Sequence, residues 1–390
     1  PVYFADETLK AAVMTQLGIT EDPTEADMLN LYYLGAWEKS IYDLTGLEYA
    51  MNLEELYLGN NEISDISPLT NLIYLRNLSL NNNYISDISP LANLTDLRYL
   101  SLNSNWIDDI SVLTDKTGLT ELFLKYNQIT DISPLANLID LTELRLEHNQ
   151  IADISPLTGL THLTEYWLDY NQISDLSPLA GLENITRLNV NNNQISDLSM
   201  LASLPNLTTL EIGGFSISDI SPLAGLTGLT WLNLGYNEIS DISPLAGLTN
   251  LTWLGLADNQ ISNLTPLAGL TQLFGLYLYN NEISNVSPLA NLTNLTAIFL
   301  SHNQITDIAP LAVLTKLDWL YLDDNQIRDV SPLAGLTHLT NVTLQNNWLN
   351  TPSYCQSLPV ILANNPGISL SYDPNPNPLT ADCVTDLPDL

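Results

Sequence analysis

The chain has 390 residues, with 44 acidic and 10 basic side chains and a formal net charge of −34 at pH 7. This charge repels nucleic acid and anionic membrane surfaces, so we expect neither as a partner. No apolar run reaches transmembrane length, and we therefore expect no direct insertion into a membrane.

Residues 1–30 do not follow the pattern of the rest of the chain and predict a helical N-terminal cap. Asp6 can cap a first helix, and Gly18 would end it. Asp22, followed by Pro23, predicts the start of a second helix that includes Met28. Such a cap is expected because the first repeat of an elongated array would otherwise expose its core.

A 22-residue repeat fills the chain from Leu53 to His338 in thirteen copies, and residues 229–250 give a clean one, LTWLNLGYNEISDISPLAGLTN. A degenerate copy over residues 31–52 precedes them and a partial copy follows. This period and the pattern L-x-x-L-x-L-x-x-N-x-I are typical of a leucine-rich repeat solenoid. We therefore take residues 31–349 as one elongated domain rather than several globular ones.

Each repeat also predicts its own local structure. The L-x-L alternation indicates one short strand, and successive strands would pair in parallel on a concave face. The recurring Asn would satisfy backbone groups of neighbouring turns. Ser-Pro-Leu-Ala-Gly-Leu predicts a convex 3₁₀ or short helical turn with Ser as its cap, and the recurring Asp before it indicates turn hydrogen bonds rather than bound calcium. The expected fold class is a right-handed, curved α/β solenoid.

Two places break the pattern. Phe215 stands where the Asn is expected, after Gly213 and Gly214, which predicts a local irregularity with Phe215 buried. Residues 350–390 predict a C-terminal cap and linker that contains Cys355 and Cys383, the two cysteines of the chain. Their confinement to one segment favours one disulfide and an oxidising compartment, with two free thiols as the alternative.

The repeat phrase NxISDISPLxxL resembles the internalin-type leucine-rich repeats of bacteria, as does the segment DLTGLEYA at residues 43–50. The resemblance covers residues 1 to about 350. It implies a secreted or surface-attached protein that binds a partner in its concave face. A Cys-containing tail stands where the best-known internalins have an immunoglobulin-like segment, so the resemblance names no particular receptor.

Side chains on either side of the inward-facing Leu of each strand should point into the concave solvent, because strand side chains alternate. In the C-terminal half many of these positions are aromatic, and rings are favoured as interface anchors. The alternative is that the rings pack on each other as cross-strand neighbours. The predicted ligand-binding residues are Trp167, Trp231, Trp253, Tyr277, Phe299, Trp319 and Tyr321.

The middle of the same face is charged and predicts a rim around the aromatic surface. The rim residues are Glu121, Glu143, Arg145, Glu147, Glu165, Asp169 and Arg187. A solvated face is the favoured interpretation, and binding of a cation or of a basic patch is the alternative. Catalysis is disfavoured because the carboxylate spacing is simply the strand spacing. His148, His162, His302 and His338 do not cluster at metal-ligand spacing, so we expect neither a metal nor a cofactor.

These observations predict a non-enzymatic recognition module that is secreted or displayed at the cell surface. A protein docked on the aromatic concave face is the expected partner, with a polysaccharide as the alternative and a structural surface spacer as a third class. We expect the chain to be a monomer.

Overall fold

The computed structural model describes residues 1–214 and 217–374, which fall into two compact units that divide after Gln194. Phe215 and Cys383 lie outside the described residues, so the irregular repeat and the disulfide stay predictions. No helix of the described residues has the length and apolar character that crossing a membrane requires.

The first helix of the N-terminal cap forms where the sequence predicts it, over Glu7–Leu17. The Asp6 carboxylate accepts hydrogen bonds from the backbone N–H groups of Thr8, at 2.8 Å, and Leu9, at 3.0 Å. Gly18 ends the helix with a φ of 66°, which a glycine adopts at little cost. Asp6 also accepts from the backbone N–H of Tyr42 at 2.9 Å, and this bond fastens the cap to the first repeat.

The second helix spans Glu25–Met28, and the prediction that Asp22 caps it was wrong. Thr24 is the cap: its hydroxyl accepts from the backbone N–H of Asp27 at 3.3 Å, and the Asp27 carboxylate accepts from the N–H of Thr24 at 2.9 Å. This reciprocal pair satisfies two N–H groups that a single Asp22 cap would leave open. Asp22 instead pairs with Lys10 of the first helix at 2.6 Å.

Within residues 1–214 and 217–374, each unit contains eight three-residue strands that pair in parallel in chain order, as the sequence predicts. Partners are one repeat apart, so that Trp231 lies beside Trp253. The strands of the first unit are Tyr33–Gly35, Glu55–Tyr57, Asn77–Ser79, Tyr99–Ser101, Glu121–Phe123, Glu143–Arg145, Glu165–Trp167 and Arg187–Asn189. Those of the second are Thr209–Glu211, Trp231–Asn233, Trp253–Gly255, Gly275–Tyr277, Ala297–Phe299, Trp319–Tyr321, Asn341–Thr343 and Ser369–Ser371.

Short 3₁₀ helices follow the strands on the other side of each repeat. In the first unit they span Leu47–Tyr49, Ser67–Leu69, Ser89–Leu91, Ser111–Leu113, Ser133–Leu135, Ser155–Gly159 and Ser177–Leu179. In the second they span Ser199–Ser203, Ser221–Gly225, Ser243–Gly247, Thr265–Gly269, Ser287–Asn291, Ala309–Val313 and Ser331–Gly335. The predicted convex-side 3₁₀ turns are therefore confirmed.

The recurring Asn links neighbouring repeats through its amide, and Asn105 is representative. Its Oδ1 accepts from the backbone N–H of Ile85 at 3.0 Å, and its Nδ2 donates to the carbonyls of Leu80 and Leu102 at 3.0 and 3.1 Å. The side chain is buried, so these groups would otherwise lack partners. The preceding residue, here Ser104, has a φ of 56° and turns the chain inward.

The recurring Asp performs the turn role that the sequence predicts. The Asp109 carboxylate accepts from the backbone N–H of Ser111 at 2.8 Å, and the hydrogen bonds from Ser111 lower the pKa of Asp109. The prediction of Ser as the helix cap was wrong, because Ser111 is the first residue of the 3₁₀ helix and Ile110 precedes it with no side-chain cap bond. The Asp two residues earlier instead accepts from the N–H of the first residue of the helix.

The segment after the last repeat continues the sheet of the second unit. A π-helical turn, Ser353–Ser357, contains Cys355 and leads into the helix Leu358–Asn364. The strand Ser369–Ser371 then pairs with Asn341–Thr343, which the sequence did not predict. Asn365 takes over the role of the repeat Asn, because it donates to the carbonyl of Leu336 and accepts from the N–H of Leu339.

The core consists mainly of Leu and Ile side chains, and Lys116 is a basic residue buried among them. Lys116 occupies the repeat position that Leu94 and Leu138 fill one repeat before and after it. It is 1% exposed, and its Nζ donates to the carbonyl of Ala92 at 2.9 Å. Burial lowers the pKa of the Lys116 ammonium, because removal from water disfavours the charged form.

Candidate functional site

The first and third residues of each strand form what we call the strand face, and they flank a middle residue that is buried in every described strand except Ser369–Ser371. At the strand Trp231–Asn233, for example, Leu232 is buried while Trp231 and Asn233 are half-buried. The predicted ligand-binding residues are first or third residues of their strands, so the structure places all of them on this face. It places them, however, in two differently built clusters, one in each unit.

Six rings form a continuous row on the strand face of the second unit. Trp231 stacks on Trp253 with ring centroids 4.1 Å apart and planes 3° apart, and Trp253 touches Tyr277 at 4.9 Å. Tyr277 stacks on Phe299 at 4.2 Å and 15°. Phe299 then meets Trp319 and Tyr321 edge-on, at 6.4 and 4.8 Å. The members of this aromatic row are Trp231, Trp253, Tyr277, Phe299, Trp319 and Tyr321.

The rings of the aromatic row pack on one another and also meet solvent. Trp319 is 44% exposed, and the other five are half-buried. The sequence leaves two interpretations of these rings, packing against cross-strand neighbours or exposure to a ligand, and the rings of the row do both. The row thus presents ring edges to solvent, with the small side chain of Ala297 among them.

Trp167, which the sequence also predicts as a ligand-binding residue of the face, lies outside the aromatic row. It lies in the first unit between two guanidinium groups, those of Arg145 and Arg187, whose Cζ atoms are 4.2 and 5.0 Å from the ring centre. Its indole N–H donates to Glu165 at 3.1 Å. Arg145 pairs with Glu143 at 3.0 Å, and Arg187 approaches Glu165 at 4.0 Å. Trp167 therefore belongs with these four side chains, and we call the five residues the charged cluster.

Glu147 differs from the expected solvated rim because its side chain is only 8% exposed. One carboxylate oxygen lies 3.9 Å from Arg145, and the other has no hydrogen-bond partner among the described residues. Burial raises the pKa of Glu147, and burial likewise raises the pKa of Asp169. Asp169 accepts from the Asn189 amide at 3.0 Å. Glu121 stays half-exposed, as a rim residue should.

A depression of about 530 Å³ opens beside the aromatic row. Its lining includes the third strand residues Tyr277, Phe299, Tyr321 and Thr343, together with Ser301 and Asp323, which stand two residues after their strands. The Ser301 hydroxyl donates to the Asp323 carboxylate at 2.6 Å, and the Thr343 hydroxyl donates to the same oxygen. Rings and a fixed carboxylate thus share one concave site, which we call the Asp323 depression.

Comparison with known proteins agrees with the repeat pattern and the architecture. A family model for two copies of the leucine-rich repeat matches residues 75–115, 117–159, 139–181, 161–203, 183–225 and 271–313. Two further leucine-rich repeat models match residues 205–261 and 52–72. No match was found among the curated proteins.

Among solved structures, the internalin InlF of Listeria monocytogenes is 36% identical to this chain, with a TM-score of 0.71. The alignment covers 87% of this chain and 95% of that internalin. The chain belongs to the internalin-type leucine-rich repeat proteins.

Two other bacterial structures share the fold of this internalin-type protein. A leucine-rich repeat protein of Leptospira interrogans is 22% identical, with a TM-score of 0.76, and is matched over 89% of this chain and 97% of its own. The functional domain of InlJ from Listeria monocytogenes, described as including a cysteine ladder, is 24% identical with a TM-score of 0.77. That match covers 94% of this chain and 79% of the other.

Part of the site of this internalin-type chain was not predicted from the sequence. Ser301 and Asp323 stand two residues after their strands, outside the two columns that were predicted as the face. Glu147 and Asp169 occupy that same repeat position in the first unit, so extending their column by whole repeats would have found Asp323. What the repeat could not indicate is that Tyr277, Phe299 and Tyr321 enclose it.

One group beside the depression could hold a metal ion. His302, Asp323 and Asp324 each offer a ligand atom, and these atoms lie within 4.8 Å of one another. His302 Nε2 is 3.5 Å from Asp324 Oδ2. The prediction from sequence rested on the spacing of the histidines from each other, and so it did not bring His302 together with carboxylates one repeat away.

Proposed function

We propose that this chain is a non-enzymatic recognition protein, secreted or displayed at the cell surface, that binds a protein partner on its aromatic row. The observation that carries the proposal is the unbroken contact of six rings over five consecutive strands. At the usual strand spacing the row is about 20 Å long, a length that suits the centre of a protein interface. The internalin-type family supports the location outside the cell.

The geometry of the rings favours a protein over a polysaccharide. A sugar stacks on an open ring face, whereas Trp231 and Trp253 cover each other's faces with planes 3° apart. Tyr277 and Phe299 do the same at 15°. The row therefore offers mainly ring edges, which suit the side chains of a partner protein.

A screen of purified cell-surface ectodomains, run beside a glycan array, tests the proposal. The probes are the wild-type chain and the variants Trp253→Ala and Tyr277→Ala, with Thr249→Ala as control. Thr249 is exposed and follows a 3₁₀ helix on the other side of the repeat. We expect a saturable protein ligand whose affinity falls at least tenfold with each face variant, as for ring anchors at interface centres, and is unchanged with Thr249→Ala.

Three results would contradict the proposal. Binding to glycans alone would favour the polysaccharide alternative. A protein ligand that tolerates both face variants but is lost with Thr249→Ala would place the interface on the turns. The absence of any saturable ligand would favour a surface spacer. Unchanged melting temperatures of the variants, checked first, exclude loss of fold as the cause.

A further inference from the structure

The Asp323 depression has the shape of a corner between rings. Tyr277 and Phe299 stack nearly in parallel, at 15°, while Tyr321 is turned by 76° relative to Phe299 with centroids 4.8 Å apart. A group inserted there meets ring surfaces from two directions. Aromatic faces carry negative electrostatic potential and attract cations.

The carboxylate of Asp323 is held in place at the open side of this corner. Both neighbouring hydroxyls, of Ser301 and Thr343, donate to Oδ1. Among the described residues none donates to Oδ2, which therefore stays available to a ligand. His302 and Asp324 lie at the same edge, with Nε2 and Oδ2 3.5 Å apart, and Asp324 adds a second carboxylate.

The charged cluster of the first unit shows the same ring-and-carboxylate combination with its cation in place. There the Arg145 guanidinium lies 4.2 Å from the Trp167 ring centre and 3.0 Å from Glu143. Trp167 occupies the strand position that Tyr277, Phe299 and Tyr321 occupy in the second unit. Asp169, two residues further on, corresponds to Asp323 by whole repeats.

Among the described residues, the second unit has no lysine or arginine for the depression, and His302 is the basic side chain at its edge. The lysine and arginine residues of 195–390 are Lys316 and Arg328. Lys316 donates to Asn294 at 2.7 Å, and Arg328 lies over the ring of Trp348 at 5.9 Å. Within the described part of the unit, the carboxylate and rings of the depression thus have no lysine or arginine against them, in a chain whose net charge is −34.

We propose that the Asp323 depression binds an arginine side chain of the protein partner. This inference rests on the proposed function and adds the chemistry of one contact to it. The guanidinium would lie against Tyr321 and Phe299 and donate to Asp323 Oδ2. Arginine suits the site better than lysine because its planar group stacks on rings and hydrogen-bonds a carboxylate at the same time.

Selection from a displayed random-peptide library tests the proposal and does not require the partner protein to be identified. The baits are the wild-type chain, Asp323→Asn and the matched control Asp169→Asn, which removes the carboxylate at the same repeat position of the first unit. All buffers contain EDTA, so that a metal at His302 cannot bridge the peptides. We expect arginine to be enriched at one position with wild type and with Asp169→Asn, and this enrichment to disappear with Asp323→Asn.

One enriched peptide then serves as the probe for affinity. Replacing its arginine by citrulline keeps the shape and removes the charge, and should weaken binding to wild type about tenfold, or 1.4 kcal/mol. The same replacement should make a smaller difference on Asp323→Asn, where the rings alone still attract the charge. Tyr321→Leu should weaken the arginine peptide, while Tyr321→Phe should not, because the ring rather than the hydroxyl holds the cation.

The outcomes separate this inference from the proposed function. Peptides that are lost with Trp253→Ala but carry no basic position, or bind Asp323→Asn equally well, would leave the aromatic row as a binding face and overturn the arginine site. Peptides that tolerate both Trp253→Ala and Asp323→Asn would overturn both. Asn at position 323 can still accept from the Ser301 and Thr343 hydroxyls, so the variant should fold, and its melting temperature verifies this.

Discussion

The indole of Trp253 lies against Gly275 of the neighbouring strand, where a Cβ atom would come within 2.8 Å of its Cδ1. On its own strand the far end of the same indole covers Gly255, where a Cβ would come within 2.7 Å. The two glycines form a slot that lets the indole lie flat and stack on Trp231 at 4.1 Å. The small residues of the face therefore position the aromatic row as much as the rings do.

The first prediction follows from this slot: Gly275→Ala should displace the Trp253 indole. We expect a weaker near-ultraviolet circular dichroism signal from the stacked Trp231–Trp253 pair and a loss of about 1–2 kcal/mol of unfolding free energy from overpacking. Gly269→Ala is the control, because nothing lies within 4 Å of its added Cβ. If both variants kept the wild-type spectrum, the slot would have no part in holding the ring.

The second prediction concerns the amide that links neighbouring repeats. Asn105→Ala removes the amide oxygen that accepts from the N–H of Ile85 and the amide NH₂ that donates to the carbonyls of Leu80 and Leu102. These three backbone groups then lose their hydrogen-bond partner. We expect the free energy of unfolding, measured in urea, to fall by about 2–4 kcal/mol. Asn105→Asp keeps the acceptor but turns a buried carboxylate oxygen towards the two carbonyls, so it should lose at least as much near neutral pH and less at low pH, where the protonated acid can donate. Equal stability of Asn105→Ala and wild type would mean that water replaces the amide.

The strands, the linking Asn and the turn Asp could all be predicted from the sequence, because the same residue types recur at the same positions of each 22-residue repeat. Features that depend on one particular neighbour could not. The sequence predicts Glu147 as a charged residue of the solvated rim, yet its side chain is buried. The sequence predicts Trp167 as one more ring of the face, but the guanidinium of Arg145 lies over that ring. The Asp323 depression depends on the direction of side chains from separate strands, which periodicity does not encode.

The third prediction concerns Lys116, which stands in a core position of the repeat. Lys116→Leu should raise the free energy of unfolding at pH 7 by about 1–2 kcal/mol, because an apolar side chain replaces a buried charge. Lys316→Leu, at an exposed position, should change it little.

The effect of Lys116→Leu should also depend on pH. The pKa of Lys116 is lowered in the folded chain, so the unfolded state binds more protons between the folded value and about 10.4. Wild-type stability gains from this group as the pH rises through that window. The advantage of the variant should therefore shrink from pH 7 towards about pH 10. A variant less stable than wild type at pH 7 would show that the bond from Nζ to Ala92 outweighs the burial of the charge.

The last prediction concerns Glu147, whose buried carboxylate has one oxygen without a partner among the described residues. Burial raises its folded pKa above the unfolded value of about 4.3. Between these two values the native state binds more protons, so this group stabilises the fold at low pH and its contribution is lost as the pH rises through the folded pKa. At pH 7 the charged form is buried at a net cost on the order of 1 kcal/mol.

Glu147→Gln should therefore be more stable than wild type at pH 7, and the difference should disappear as the pH falls towards about 4. Asp169, whose pKa is also raised, is present in both proteins, so the comparison isolates Glu147. Glu121→Gln, at a half-exposed position of the same face, controls for the loss of one negative charge from the surface. Urea unfolding of the three proteins at several pH values measures the effect. A stability difference for Glu147→Gln that stays constant with pH, or that Glu121→Gln reproduces, would assign it to net charge rather than to burial of this carboxylate.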